Sequence, residues 1–256
     1  MRRGGEGEEA VGPASVATTE ASAAGEPGAP GGRSGQVWVV ASGRQGTTRG
    51  SEEGPGGGTG ESYDAVVLAG GRAERLGGAD KPVVSVGGMS LLDRSIEACV
   101  GAGKTIVVGP YRATVHQVRH VREWPPHAGP LAALAAGVLW VRAPFVVVLA
   151  AGLPFVRPET VAELLRQAAG PAIEGAVMLE TQGRGNPLFA AYRTAALRRG
   201  IALTLAERGL LVGLPIRVLT RSLALRHVPD VAGVSFDCDT WEAVALARAC
   251  LNPRSG

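Results

Sequence analysis

Several features that would settle a protein's environment at a glance are scarce in this chain. Its three cysteines, Cys99, Cys238 and Cys250, form neither a CxxC pair nor an even framework, which argues against a disulfide-stapled fold and for a reducing compartment. No apolar run reaches the roughly 20 residues that a membrane span needs. The longest, Ala143–Val156, holds 14 residues and contains Pro144 and Pro154. The chain starts Met-Arg-Arg without an apolar stretch behind it, which argues against a secretory signal. The four histidines, His116, His120, His127 and His227, show no metal-ligand spacing, and no Ser/His/Asp or Cys/His nucleophile set stands out. Aromatic residues make up only 4% of the chain, and lysine is rarer still: Lys81 and Lys104 stand against 24 arginines. The expectation is a cytoplasmic protein without a membrane anchor.

What is present divides sharply. Residues 1–62 are almost entirely Gly, Ala, Ser, Glu, Pro, Thr and Arg, a composition with too little apolar surface to offset its chain entropy. They are expected to form a disordered low-complexity tail, interrupted only by the β-prone island Gln36–Val40. Residues 63–252 carry the apolar material for one domain. The tail holds five Arg and eight Glu, a balance of −3; the remainder holds 21 Lys+Arg and 15 Asp+Glu, a balance of +6. A moderately basic domain suits an anionic ligand but is too mild to indicate nucleic acid.

From Tyr63 onward, short apolar runs alternate with helical patterns. Strands are predicted at 65–68, 105–108, 145–149, 176–179 and 188–191, with a weak edge strand within 115–121 and a further strand at 215–219. Helices are predicted at 90–102 with Ser90 as N-cap, 130–141, 158–169, 193–199, 203–207 and 240–250, the last capped by Thr240 or Asp239. Strands separated by helices of this length imply βαβ units, a mostly parallel sheet and helices on both faces. Ligands of such sheets bind outside the carboxyl ends of the strands.

The segment Leu68-Ala-Gly-Gly-Arg-Ala-Glu-Arg-Leu-Gly-Gly-Ala-Asp-Lys81 hangs on the carboxyl end of the first strand. Gly70 and Gly71 let backbone amides face a ligand without a Cβ in the way, and successive inward N–H groups make an anion cradle. In a chain that otherwise uses arginine, Lys81 supplies a compact ammonium suited to point contacts with phosphate. The segment reads either as a di- or triphosphate site or as a glycine-rich turn with solvated charges. It is neither a Walker A loop, since Lys81 is followed by Pro82, nor a GxGxxG fingerprint, since Gly70 and Gly71 are adjacent.

Five segments, in order, resemble the MobA-like nucleotidyltransferases. They are this LAGG…Arg75-Leu76-Gly77…Asp80-Lys81 stretch, Gly129-Pro130-Leu131-Ala132, Leu149–Phe155, Asn186–Tyr192 and Asp237–Glu242. Val86–Leu92 is similar to the family's helix entry after the loop. The resemblance implies a three-layer, Rossmann-like nucleotidyltransferase fold. It also implies transfer of GMP from GTP to a molybdopterin-type phosphate acceptor, with release of pyrophosphate and with Mg²⁺ as cofactor. Leu68, Ala69, Gly70, Gly71 and Lys81 would then contact the nucleotide, with Gly129, Pro130 and Leu131 at its base and ribose. Arg75 and Lys81 would offset the charge of the transferred and departing phosphates, and Asp237 and Asp239 would hold the metal. Molybdoenzymes or other cofactor-synthesis proteins would be the partners. Two positions depart from the family pattern: Gly152 stands where the resemblance places a metal-binding aspartate, and Trp124, after Glu123, where it places an aspartate that contacts the nucleotide. A non-catalytic relative that binds nucleotide or cofactor, or a transferase using CTP or a sugar or metabolite phosphate, is the alternative. Blander roles also remain open: Asp237 and Asp239 as helix caps, Arg75 as a surface charge, and Trp124 as a residue packed beneath its strand.

Overall fold

A computed structural model describes residues 61–251 apart from 72 and 181. The expectations for the tail, including the Gln36–Val40 island, lie outside the described residues but for Glu61 and Ser62, which are exposed. In chain order the elements are β1 (Tyr63–Leu68), β2 (Ser85–Val86), β3 (Met89–Ser90), α1 (Leu91–Glu97), β4 (Thr105–Val108), β5 (Arg119–Val121), α2 (Pro130–Val138), β6 (Phe145–Ala150), α3 (Pro158–Ala168), β7 (Gly175–Leu179), β8 (Gly185–Arg193), α4 (Thr194–Arg208), α5 (Arg217–Thr220), β9 (Leu225–Val228) and α6 (Trp241–Leu251). Single 3₁₀ turns form at Glu74–Leu76 and Lys81–Val83.

Seven strands form one sheet in the order β5-β4-β1-β6-β8-β7-β9, and β2 pairs with β3 in a small ribbon. Every strand of the large sheet runs parallel to the others except β8, which is antiparallel to both β6 and β7. Strand β1 is central, its Val66 paired with Ile106 on one side and Val148 on the other. Its side chains alternate between two cores. Val66 and Leu68 pack with Leu131 and Leu134 of α2. On the opposite face Ala65 lies in the cluster of α3's Val161 and Leu164, and Val67 in that of α1's Leu92 and Ile96. Both faces are thus covered, which is why these strands read as unbroken apolar runs rather than as alternation. The expected three-layer α/β architecture is the observed one.

Local signals explain most boundaries. Ser90 caps α1, its Oγ accepting the Asp93 N–H at 3.0 Å. Thr240 caps α6, its Oγ1 accepting the Ala243 N–H at 3.2 Å, so neither Asp237 nor Asp239 is spent on that task. Three expectations need correction. The helix expected to run from 90 to 102 ends at Glu97 and continues only as turns. The two helices expected at 193–199 and 203–207 are one, α4. The strand expected at 215–219 is instead a turn leading into α5, with Pro215 accepting a bond from Val218 N–H at 3.1 Å; the sheet's last strand is β9. Leu225-Arg-His-Val228 carries two charged or polar residues at its centre, both exposed at the sheet's edge, and so gives little apolar signal.

A smaller core sits beyond the carboxyl end of β1. Leu76, Val84, Val86 and Leu91 pack against Cys238 and against Val244 and Ala247 of α6. The Arg248 Nε–H donates to the Ser85 carbonyl at 2.9 Å. The last helix therefore holds down the segment that follows the glycine loop.

Candidate active site

The chain passes from β1 to β4 and β5 on one side, then returns to place β6 on β1's other side. That reversal opens a crevice at the carboxyl ends of β1 and β6, the usual place for a ligand in such a sheet. Two loops border it, one from Ala69 to Val84 after β1 and one from Ala151 to Arg157 after β6.

In the first loop the backbone groups divide into used and free. The Leu68 carbonyl accepts from Ala151 N–H at 3.0 Å, and the Ala69 N–H donates to the Val108 carbonyl at 2.8 Å. The Ala69 carbonyl accepts from Arg112 Nη1 at 2.8 Å. Leu68 and Ala69 are buried and serve as the loop's anchor. Among the described residues the N–H groups of Gly70 and Gly71 have no acceptor, and both glycines are exposed. These two amides are the ones expected to form the anion cradle.

Arg112, which sequence reasoning did not single out, fastens the loop. Besides the Ala69 carbonyl it binds the Pro110 carbonyl at 3.1 Å. Its Nε–H donates to Asp80 Oδ2 at 2.8 Å and its Nη2 to Asp80 Oδ1 at 2.5 Å. A guanidinium can take a carboxylate with two parallel bonds in this way. The two ends of the loop, Ala69 and Asp80, are joined through one side chain that is 9% exposed. Gly109 permits the approach: at φ +148° a Cβ there would lie 2.8 Å from the Ala69 carbonyl oxygen. One arginine among 24 carries no local signal; only the adjacency of β4 to β1 reveals it.

The loop's far end delivers Lys81 to the carboxylates that precede α6. Its Nζ donates to Asp237 Oδ1 at 2.5 Å and to Asp239 Oδ1 at 2.6 Å, and Arg75 Nη1 reaches Asp239 Oδ2 at 3.5 Å. The Cys238 N–H donates to the Gly152 carbonyl at 3.0 Å, pinning this acidic segment to the loop after β6. Burial disfavours the ammonium, but the two carboxylates outweigh it and hold Lys81 above its ordinary value. Burial dominates at Asp237 and pushes it up. At the more exposed Asp239 burial acts in the same direction, but Lys81 and then Arg75 overcome it and hold that carboxyl low. Lys81 therefore keeps its charge through neutral pH, and Asp239 holds a negative charge more readily than Asp237 does.

The resemblance implies a magnesium ion at these carboxylates. Among the described residues no three His, Cys, Asp or Glu side chains converge. The two carboxylates available, Asp237 and Asp239, each give an oxygen to the Lys81 ammonium. Magnesium demands oxygen ligands in near-octahedral geometry, and this donor set, with an ammonium already on it, does not fit a resident divalent ion.

The remaining expected residues lie elsewhere on the same edge. Gly129 precedes α2 at φ +93° and faces Gly213, whose N and Cα would each lie 3.4 Å from an added Cβ. Pro130 is exposed, but Leu131 is fully buried in the core and its N–H donates to the Leu214 carbonyl at 3.3 Å. The Leu131 side chain is thus part of the core that packs α2 on β1. Trp124 is 48% exposed rather than packed beneath its strand, whereas Glu123 is buried, with Oε1 accepting the His127 N–H at 3.1 Å. The structure brings Arg75, Lys81, Asp237, Asp239 and Gly152 together; Gly129–Leu131 contacts the 213–214 turn instead.

Comparison with known proteins agrees with this architecture. A probable molybdenum cofactor guanylyltransferase of Natronomonas pharaonis is 26% identical over 172 residues, covering 64% of this chain and 81% of that one. A molybdenum cofactor guanylyltransferase of a Shewanella strain is 31% identical over 110 residues, covering 40% of this chain and 54% of its own, so that match spans about half the relative's length. The crystal structure of molybdopterin-guanine dinucleotide biosynthesis protein A from Archaeoglobus fulgidus superimposes with a TM-score of 0.58 at 18% identity, over 74% of this chain and 99% of that one; at that identity the likeness speaks for the fold alone. The family model described as the MobA-like NTP transferase domain matches residues 65–227, a span that takes in the glycine loop, Lys81, Gly129–Leu131 and Gly152 and stops short of Asp237. With more than half of its length matched, from β1 through to β9, the chain belongs to the MobA-like NTP transferase family.

Proposed function

We propose that this protein transfers GMP from GTP to the phosphate of a molybdopterin-type acceptor. An acceptor phosphate oxygen forms a bond to the α-phosphorus, the bond from that phosphorus to the β-phosphate oxygen breaks, and pyrophosphate leaves with the electron pair. The observation that carries the reading is the pair of Gly70 and Gly71 amides, exposed at the carboxyl end of β1 and without a partner among the described residues. They belong to the same loop as Arg75 and Lys81, in a chain whose relatives are named as molybdenum cofactor guanylyltransferases. Such a transfer asks the protein mainly for positioning and charge compensation. The two amides receive phosphate oxygens. Lys81, with two of its three hydrogens engaged, points the third at the phosphates. Arg75, exposed and lightly held, follows the pyrophosphate. Gly129 and Pro130 border the base and ribose. Any magnesium would draw its oxygen ligands from the triphosphate, because Asp237 and Asp239 are already bonded by Lys81. The protein would work in the cytoplasm and pass its product to molybdoenzymes or other cofactor-synthesis proteins.

The engagement of both carboxylates by Lys81 favours one second reading, a non-catalytic relative that binds nucleotide or cofactor and hands it on. Calorimetry with GTP, CTP and ATP side by side, followed by a pyrophosphate-release assay with GTP and molybdenum-loaded cofactor, separates the two. Preferential GTP binding with turnover supports transfer. Tight GTP binding without turnover supports the second reading. No heat from any of the three nucleotides overturns both.

A further inference from the structure

The position of Gly152 is explained by space rather than by backbone conformation. Unlike Gly109 or Gly129 it does not adopt a positive φ, yet a Cβ built on it would lie 2.3 Å from Asp237 Oδ1, 2.5 Å from Lys81 Cε and 2.6 Å from Lys81 Nζ. The volume that any larger residue would fill is taken by the end of the lysine side chain. That side chain is 17% exposed, and it bonds both Asp237 and Asp239. The acidic segment is itself fixed to Gly152 through the Cys238 N–H. In a chain with 24 arginines, a lysine stands at this one position of the site. A slim stem ending in a compact ammonium fits a slot closed by a glycine, whereas the planar fork of a guanidinium is broader.

We propose that the Lys81 ammonium is the resident cation of the Asp237–Asp239 pair, seated in space that Gly152 keeps open, so that the nucleotide-free protein offers no vacant divalent-ion site there. The chain carries its own monovalent cation where two carboxylates would otherwise attract a metal. A divalent ion on the same oxygens would sit against the ammonium, and like-charge repulsion at that distance sets the two occupants in competition. The inference concerns the protein without nucleotide, so its test is independent of whether GMP transfer occurs.

The probe is Mn²⁺ alone, titrated into the full-length, nucleotide-free chain and followed by loss of the free-ion electron paramagnetic resonance signal. Lys81→Met keeps the length and removes the charge; Lys81→Ala also vacates the space. The expected result is at least tenfold tighter Mn²⁺ binding in one or both variants than in the wild type, with the gain abolished by adding Asp237→Asn. Equal Mn²⁺ affinity in all three proteins, including a failure of all three to bind, overturns the proposal. Thermal unfolding verifies that each variant is folded, and a second measurement needs no variant at all. Because the chain has only two lysines, selective ¹⁵N-lysine labelling gives two side-chain ammonium signals, Lys81 and the Lys104 reference. At mildly acidic pH the Lys81 hydrogens should exchange with water at least tenfold more slowly than those of Lys104, and millimolar Mg²⁺ should leave that protection unchanged. Equal exchange rates, or loss of protection on adding Mg²⁺, overturn the proposal.

Discussion

Substituting alanine for Gly152 tests how the candidate site is assembled. The added methyl would overlap Asp237 Oδ1 at 2.3 Å and the Lys81 terminus at 2.5–2.6 Å. The overlapped lysine atoms are the far end of a flexible side chain, so Lys81 swings out rather than straining the backbone. The cost is then the loss of what the ammonium did in place. Its bonds to Asp237 and Asp239 involve carboxylates 38% and 50% exposed, and each such pair is worth roughly 0.2–1 kcal/mol. Together with the displacement of Asp237, the substitution should destabilise the fold by about 1–2 kcal/mol, which corresponds to a fall in Tm of roughly 2–8 °C for a domain of this size. The decisive comparison is a double-mutant cycle with Lys81→Ala, read by denaturant unfolding. Once the lysine is truncated its bonds are already lost and the space is partly empty, so Gly152→Ala should then cost less than about 0.5 kcal/mol and the two substitutions should couple by about 1 kcal/mol. If the two costs simply add, Gly152 and Lys81 do not share the space and the reasoning fails.

Arg112→Ala should release the tie between Ala69 and Asp80. Faster amide exchange across residues 69–80 and weaker GTP binding, with the sheet core unaffected, are the expected readouts; unchanged exchange in the loop would refute the clamp. Burial pushes the Cys99 thiol up to about 12, and burial together with the Asp237 charge pushes Cys238 up to about 11, whereas Cys250 is exposed. One thiol should therefore react promptly with a thiol reagent at neutral pH and all three after denaturation. Asp230 accepts the Ala232, Val234 and Ser235 amides at 3.3, 2.9 and 2.8 Å. Burial works against its charge, but these bonds prevail and hold it below its ordinary value of 3.8. A lowered carboxylate stabilises the fold above its unfolded-state value and loses that contribution as pH falls through the folded one. Asp230→Asn should accordingly flatten the acid limb of a Tm-versus-pH curve below about pH 4, and an unchanged limb would exclude the residue.

The sequence made the fold legible where burial on both faces left unbroken apolar runs. Phe145–Ala150 and Thr105–Val108 are such runs, and their ends are visible in the residues that flank them. It was least informative at the edge. β9 lies last in the sheet and exposes Arg226 and His227, so hydropathy alone gave it no contrast, while the apolar Pro215–Leu219 segment drew the strand assignment instead. At the site, the glycine loop and Lys81 were visible as local oddities of composition. The partnership of Lys81 with Asp237 and Asp239 was not, because it spans 156 and 158 residues and is made by a close approach that no spacing rule describes. In the sequence Gly152 stands out only through the family resemblance; the structure shows that its missing side chain is room another residue uses.

The same logic orders the two ends of the loop. At Ala69 the carbonyl is drawn by Arg112, and Gly109 lets the neighbouring strand's exit come within contact of it. At Lys81 the ammonium is drawn by Asp237 and Asp239, and Gly152 admits it. Each end thus relies on a glycine for a close approach, and between them the amides of Gly70 and Gly71 have no partner among the described residues. Fixing both ends lowers the entropy that a bound polyanion would otherwise have to remove. It follows that loosening the Ala69 end should weaken nucleotide binding without any direct contact being lost. Under the proposed function Lys81→Ala would remove a phosphate contact as well as an anchor, so it should weaken GTP binding more than Arg112→Ala does; the reverse order would mean that the loop's rigidity outweighs the lysine's charge.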